Sequence, residues 1–224
     1  MKPIITHPWN INEEEAIDLQ RRLANFVERD DRIGDIKTVA GVDAAYAKHS
    51  NKLIAAAVVI DFNSLNVIQK VVVEDTVQFP YIPGLFSFRE LPVITKSLES
   101  LQIKPDLIIC DGQGIAHPRR FGLACHVGVT FDIPTIGCGK NLLLGTHDEV
   151  GKIKGDYSPV FDNGEIIANA LRTRDNVKPL YISIGHRVSL CMASKTILSL
   201  CKKYRLPETT RISNSIVQSL INSK

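Results

Sequence analysis

Hydrophobic runs long enough to span a bilayer are missing from this 224-residue sequence. None approaches the roughly 18 apolar residues that a membrane helix needs. The N-terminus also lacks the apolar segment of a signal peptide, so the expected setting is cytoplasmic, with no membrane partner. Cys-x-x-Cys pairs are absent, and the five cysteines fall at 110, 125, 138, 191 and 201. An odd set lying mostly in apolar runs predicts buried free thiols in a reducing compartment, and it argues against a zinc site built on cysteine. Internal repeats and low-complexity tracts are lacking too, which excludes repeat arrays and disordered linkers. No sign of charge dominates: 27 Lys and Arg stand against 24 Asp and Glu. Such a mild positive balance permits an anionic partner without demanding one.

What is present, 44% hydrophobic and 23% charged residues, suits one α/β domain over residues 1–224. Asn12 before Glu13-Glu14-Glu15 reads as a capped helix start, with apolar residues at near-helical spacing to Val27. Residues 38–47, 53–61 and 67–75 read as strands of an antiparallel meander, turning at 49–52 and at Asn63-Ser64. Ser87 with Glu90 three residues later predicts a capping box and a helix running to Leu101. Leu107-Ile108-Ile109-Cys110 has the length and branching of a buried strand. Helices are expected over 120–129, over 189–203 with Ser189 as N-cap, and from about Ile212 to the end. Short strands are expected over 134–137 and 178–185, and a hairpin of 151–157 with 165–173 around Asn163-Gly164. Three antiparallel strands, a helix, a strand, a helix and a further strand is the order of a ribonuclease H-like domain. That is a mixed sheet flanked by helices on both faces.

Three carboxylates stand out in that frame. Asp43 sits in mid-strand among small residues, Glu90 in a helix start, and Asp111 at the end of a buried strand beside Gly112 and Gly114. Taken singly each has a plain reading: an open strand face, a capping box, a turn. Together, on those three elements, they would meet at one edge of the sheet. Repulsion would raise their pKa values unless cations lay between them. Hard oxygen ligands favour Mg²⁺ or Mn²⁺. Two such ions about 4 Å apart activate water and stabilise the leaving oxygen in phosphodiester hydrolysis. The stretch Q-F-P-Y-I-P-G is the other unusual feature. Pro80 and Pro83 stiffen it around Tyr81 and Ile82. It is either a presented apolar pair or a rigid connector with its aromatic in the core.

The motifs Gly41-Val42-Asp43, P-Y-I-P-G-L-F-S-F-R-E (80–90) and D-G-Q-G-I-A-H-P-R-R-F-G (111–122) closely resemble the endonuclease V family. So do His126-Val127-Gly128, P-T-I-G-C-G-K (134–140), G-H-R-V-S (185–189) and Y-R-L-P-E-T-T-R (204–211). The resemblance implies a metal-dependent DNA-repair endonuclease that uses Mg²⁺, with Mn²⁺ as substitute. It would cut the second phosphodiester bond 3′ to hypoxanthine and leave the base in place. The implied partner is DNA containing deoxyinosine, with inosine-containing RNA left open, and the implied state is a monomer. Asp43, Glu90 and Asp111 match the family's metal-binding acids and Lys140 its catalytic-site lysine. Pro80, Tyr81, Ile82 and Pro83 match its strand-separating wedge.

An enzyme inspecting a base must unstack it. Backbone near Gly84, Leu85 and Gly112 could then read the base edge, with Gly112 and Gly114 leaving room for it. His117 would help hold the base or a nearby phosphate. Arg119, Arg120 and Lys140 would offset phosphate charge. One position departs from the resemblance. Where the family carries Asp, or sometimes His, at a metal ligand, this chain has Asn214. An amide offers an oxygen without charge. Two other readings follow: a lesion-binding module that barely cuts, and a ribonuclease H-like resolvase of branched DNA.

Overall fold

Burial patterns along the strands explain how the sheet is layered. The computed structural model describes residues 1–48 and 50–222; His49 of the 49–52 turn, and Ser223 and Lys224 of the expected last helix, lie outside them. The meander consists of β1 (Thr38–Tyr46), β2 (Lys52–Asp61) and β3 (Val67–Thr76). β2 is apolar and covered on both faces, whereas β3 alternates half-buried and exposed residues as an edge strand should. After α2 (Phe86–Glu99), β4 (Leu107–Cys110) pairs parallel to β1, with Gly41 opposite Ile109. α3 (Leu123–Phe131) leads to β5 (Thr135–Gly139), parallel to β4. The hairpin β6 (Tyr157–Asp162) and β7 (Glu165–Leu171), and then β8 (Leu180–His186), complete one mixed sheet in the order β3-β2-β1-β4-β5-β8-β7-β6.

α2 and α3 cover one face. α4 (Leu190–Leu200) and α5 (Glu208–Asn222) cover the other. α1 (Glu13–Ala24) packs on α3. This is the α/β architecture expected. Asn12 caps α1 and makes a reciprocal capping box with Glu15. Ser189 caps α4. Asn163 and Gly164, both at positive φ, turn the hairpin. Cys110, Cys125, Cys138 and Cys201 are buried free thiols, and Cys191 is free and exposed. Among the described residues no helix is long and apolar enough to cross a membrane.

Four local expectations need correction. The Ser87–Glu90 capping box does not form: α2 starts at Phe86 without a side-chain cap. Ser87 Oγ instead meets Nδ1 of buried His126 at 3.0 Å. α3 begins at Leu123, not at residue 120, because Arg120 adopts a left-handed φ of 53° and Gly122 is the N-cap. The first hairpin strand starts at Tyr157, where the expected one ended. α5 starts at Glu208, a turn before Ile212.

Candidate active site

Asp43 is placed by the approach of α5 to β1. A Cβ on Gly41 would lie 2.6 Å from the Thr209 backbone, so only glycine lets the helix come this close. Thr210, Ser213 and Val217 form the buried stripe of α5. Asn214, on the same side, donates Nδ2–H to Asp43 Oδ2 at 2.7 Å. Asp111 follows β4, whose pairing with β1 brings it beside Asp43. The Lys140 ammonium, at the end of β5, forms an ion pair with Asp111 Oδ2. Glu90 is 4% exposed in the second turn of α2.

The electrostatics follow from this crowding. Burial, and then the Asp111 charge, push Asp43 up to about 6, against the opposing pull of Asn214 and Lys140. Burial pushes Glu90 well above the usual carboxylate range, with Asp43 and Asp111 adding to the shift. Burial disfavours the charge on Lys140, and Asp111 more than reverses that, so its pKa is raised. The Tyr46 hydroxyl is buried beside the Glu90 carboxyl and Arg89. Two buried acids held toward protonation, with Asp111 beside them, form an oxygen set that suits a hard divalent cation. Among the described residues no three His, Cys, Asp or Glu side chains are grouped closely enough to hold a metal ion as folded. Here the Lys140 ammonium supplies the positive charge.

A cavity of about 330 Å³ opens beside these groups. Tyr81–Gly84 form one wall, and Asp111, Gly112 and Lys140 line another. Tyr81 is 70% exposed, so the aromatic is presented rather than tucked into the core. Ile82-Pro83-Gly84-Leu85 closes as a turn, with Leu85 N–H on Ile82 O at 3.0 Å and Gly84 at φ +80°. Proline followed by a left-handed glycine is the signature of a type II turn.

His117 lines the cavity, but both its ring nitrogens are engaged within the protein. Nε2 donates to Gly84 O at 3.0 Å and Nδ1 accepts from Arg119 N–H at 3.2 Å. Burial, with Arg119 nearby, lowers its pKa to about 4, so the ring is neutral. Arg119 bonds Gly84 O, and Arg120 is paired with Asp162 and Glu165 of the hairpin. As folded, Lys140 is the expected phosphate-binding residue that stands at the acids.

One expectation meets a different outcome here. Gly112 borders the cavity, but Gly114 does not: its Cβ would fall 1.9 Å from Ile184 O. His186, in the Gly-His-Arg motif, accepts Glu28 N–H at 3.1 Å and supports the segment after α1. Gln20, which lines the cavity, was missed. Its signal was present: a polar residue within the apolar stripe Ala16, Leu19, Leu23 of α1.

The Asn214 contact yields a prediction. Asn214→Asp places a second carboxylate against Asp43. The metal-free protein should melt a few degrees lower and bind Mg²⁺ about tenfold more tightly by calorimetry. An unchanged Mg²⁺ titration would reject a metal-facing role for this position.

A mixed sheet in this order, with acids from β1, α2 and the end of β4 coupled at one end, is that of a ribonuclease H-like nuclease. The family model for Endonuclease V matches residues 21–215. Endonuclease V of Roseiflexus castenholzii is 47% identical over 216 residues, 96% of each chain. The crystal structure of Endonuclease V from Streptomyces avermitilis superposes with a TM-score of 0.92 at 40% identity, covering 100% of this chain and 99% of that one. Ciona intestinalis Endonuclease V (D234N), solved with a 23mer DNA containing an inosine followed by a ribo-adenosine, superposes at 0.86 with 25% identity. That match covers 95% of this chain and 99% of the other. The chain belongs to the Endonuclease V family, nucleases that hydrolyse phosphodiester bonds.

Proposed function

We propose that this protein, as one domain, nicks DNA at the second phosphodiester bond 3′ to hypoxanthine, with Mg²⁺ as cofactor and Mn²⁺ as substitute. The observation that carries this reading is the cavity of about 330 Å³ between the exposed Tyr81 and the Asp111–Lys140 pair. It sets a base-sized space beside phosphate chemistry. The inosine-containing DNA bound by the Ciona relative supports the choice of lesion. Inosine-containing RNA fits the same pocket chemistry, since the base is shared.

Asp43, Glu90 and Asp111, with the Asn214 carbonyl oxygen, would hold the cation. When bound it would activate water and stabilise charge on the leaving oxygen. Lys140 steadies Asp111 and offsets phosphate charge. Tyr81 and Ile82 fill the gap left by the unstacked base, as apolar wedges do. Gly84 and Gly112 provide the backbone wall of the pocket and the neutral His117 ring closes it, whereas Leu85, expected beside them, is buried behind the turn with its N–H on Ile82 O. Arg119 acts on the wedge turn. Arg120 secures the hairpin while its two carboxylates hold it.

Purified protein with Mg²⁺ should nick a deoxyinosine oligonucleotide at least tenfold faster than its guanine control. Unstacking costs less at a mismatched base. Tyr81→Ala should reduce that ratio several-fold with little change in melting temperature, because the ring is exposed. Binding without nicking in Mg²⁺ or Mn²⁺ would replace this reading with a lesion-binding module. Preferential cutting of four-way junctions would replace it with a resolvase.

A further inference from the structure

Gln20 lies on α1, one residue before the span that the family model matches, yet its side chain reaches the base of the presented Pro80–Pro83 segment. It is 1% exposed. Nε2 donates to Gly84 O at 3.0 Å and to Phe121 O at 3.1 Å, and Oε1 accepts from Arg119 Nε. Both amide donors and the carbonyl are therefore satisfied. The reverse amide orientation would set an oxygen against two carbonyls and an N–H against a guanidinium, so the partners fix it.

Gly84 O is the meeting point. Besides Gln20 it receives Arg119 Nη2 at 2.7 Å and His117 Nε2 at 3.0 Å. On the other side of the same peptide, Leu85 N–H is held by Ile82 O. The 84–85 peptide plane is thus pinned at both ends, and with it the direction in which residues 80–83 leave the body of the protein. A Cβ at position 84 would meet Arg119 Nη2 at 2.7 Å, so the clamp also requires glycine there.

We propose that Gln20 is a positioning residue for lesion selection: it presets the Pro80–Pro83 wedge against the pocket wall. The inference rests on the wedge reading above. A wedge that enters a base stack must be ordered, and a turn already ordered in the free protein avoids that entropy cost on binding. Gln20 joins three segments for this purpose: α1, the wedge turn and the 117–121 loop that follows Asp111. His117 and Arg119 contribute through the same carbonyl.

The test uses the full chain and a duplex with 2-aminopurine next to deoxyinosine, whose fluorescence reports unstacking. Gln20→Met keeps the side-chain length and removes all three hydrogen bonds. Losing buried hydrogen bonds of this kind should lower kcat/KM on inosine about tenfold and diminish the fluorescence rise in proportion. Affinity for undamaged duplex should stay at the wild-type value. Gln20→Glu separates the donors from the acceptor: it retains an oxygen for Arg119 and loses both N–H groups. It should fail like Gln20→Met. Wild-type unstacking and selectivity in Gln20→Glu would mean that Gln20 serves only to seat Arg119, and would overturn the proposal. So would wild-type behaviour of Gln20→Met. If Gln20→Met does not fold, by melting, Gln20→Glu carries the test alone. Wild-type protein that nicks inosine without unstacking it would sink the wedge reading, and the proposal with it. Wild-type protein that does not discriminate inosine from guanine would sink the proposed function.

Discussion

Asp43→Asn should cut strand cleavage by orders of magnitude and, at the same time, raise the melting temperature of the metal-free protein. The two effects share one cause. Asp43 is 8% exposed, near two other carboxylates, and its pKa is raised to about 6. The ordinary value in an unfolded chain is near 4. A raised folded-state pKa means that the ionised group opposes folding above about pH 6. That penalty grows in between about pH 4 and 6 and is absent below. At neutral pH it is on the order of 3 kcal/mol. Asparagine removes the charge and can still accept the Ala44 N–H that Asp43 Oδ1 now holds at 2.9 Å, while its amide N–H then faces Asn214, which must turn its own carbonyl oxygen to accept it. The expected gain at pH 7.5 is up to roughly 10 °C for a chain of this size, and it should vanish at pH 4.

Cleavage should fall by about a thousandfold if Asp43 serves as the charged ligand proposed for it, because the amide removes that charge. Calorimetric melting with and without Mg²⁺, beside a nicking assay, checks both halves. Full activity would remove Asp43 from the chemistry. A lower melting point at pH 7.5 would show that its charge is not the burden the geometry implies.

Gly114→Ala should be the most damaging small change in the D-G-Q-G motif, while Gly112→Ala should leave the fold intact. At 114 a methyl would stand 1.9 Å from Ile184 O and 2.5 Å from its carbonyl carbon. Neither segment can yield: Gly114 N–H is on Ser183 Oγ at 2.8 Å, and Ile115 N–H is on Ile184 O at 2.8 Å. Overpacking against fixed backbone should cost about 3 kcal/mol or more. That corresponds to a fall of roughly 10 °C. At 112 the new methyl meets only Leu123 atoms at 3.5 Å, ordinary contact. The melting point should then move by no more than about 2 °C. Gly112 lines the cavity, so the methyl takes space from a bound base, and affinity for the inosine oligonucleotide should drop. Equal melting points for the two variants would refute the distinction.

Several features were legible in the chain because they depend on neighbours in sequence. The Asn12 cap needs only Glu15, and the Asn163-Gly164 turn needs only two residues that tolerate positive φ. The Ser87–Glu90 pattern satisfied the same local rule and failed. Ser87 Oγ is taken by His126, from a helix 39 residues away, and Glu90 is buried beside Asp43 and Asp111. The basic pair Arg119-Arg120 read as one phosphate grip. In the fold the two part: one clamps Gly84 and the other pairs with the hairpin.

By itself the sequence determined the class of sheet, the family through its motifs, the order of the three acids, and the uncharged Asn214 among them. Only the tertiary structure decided what several of those residues are for. Gly41 and Gly114 are glycines because α5 and β8 press backbone against them. Gln20 reaches the cavity because α1 lies against the Ile82–Leu85 turn. Lys140 meets Asp111 because β4 and β5 run parallel side by side. The reason is physical: the steric and electrostatic forces that assign these roles act over a few ångströms in space, between residues that lie 29 to 171 positions apart in the chain.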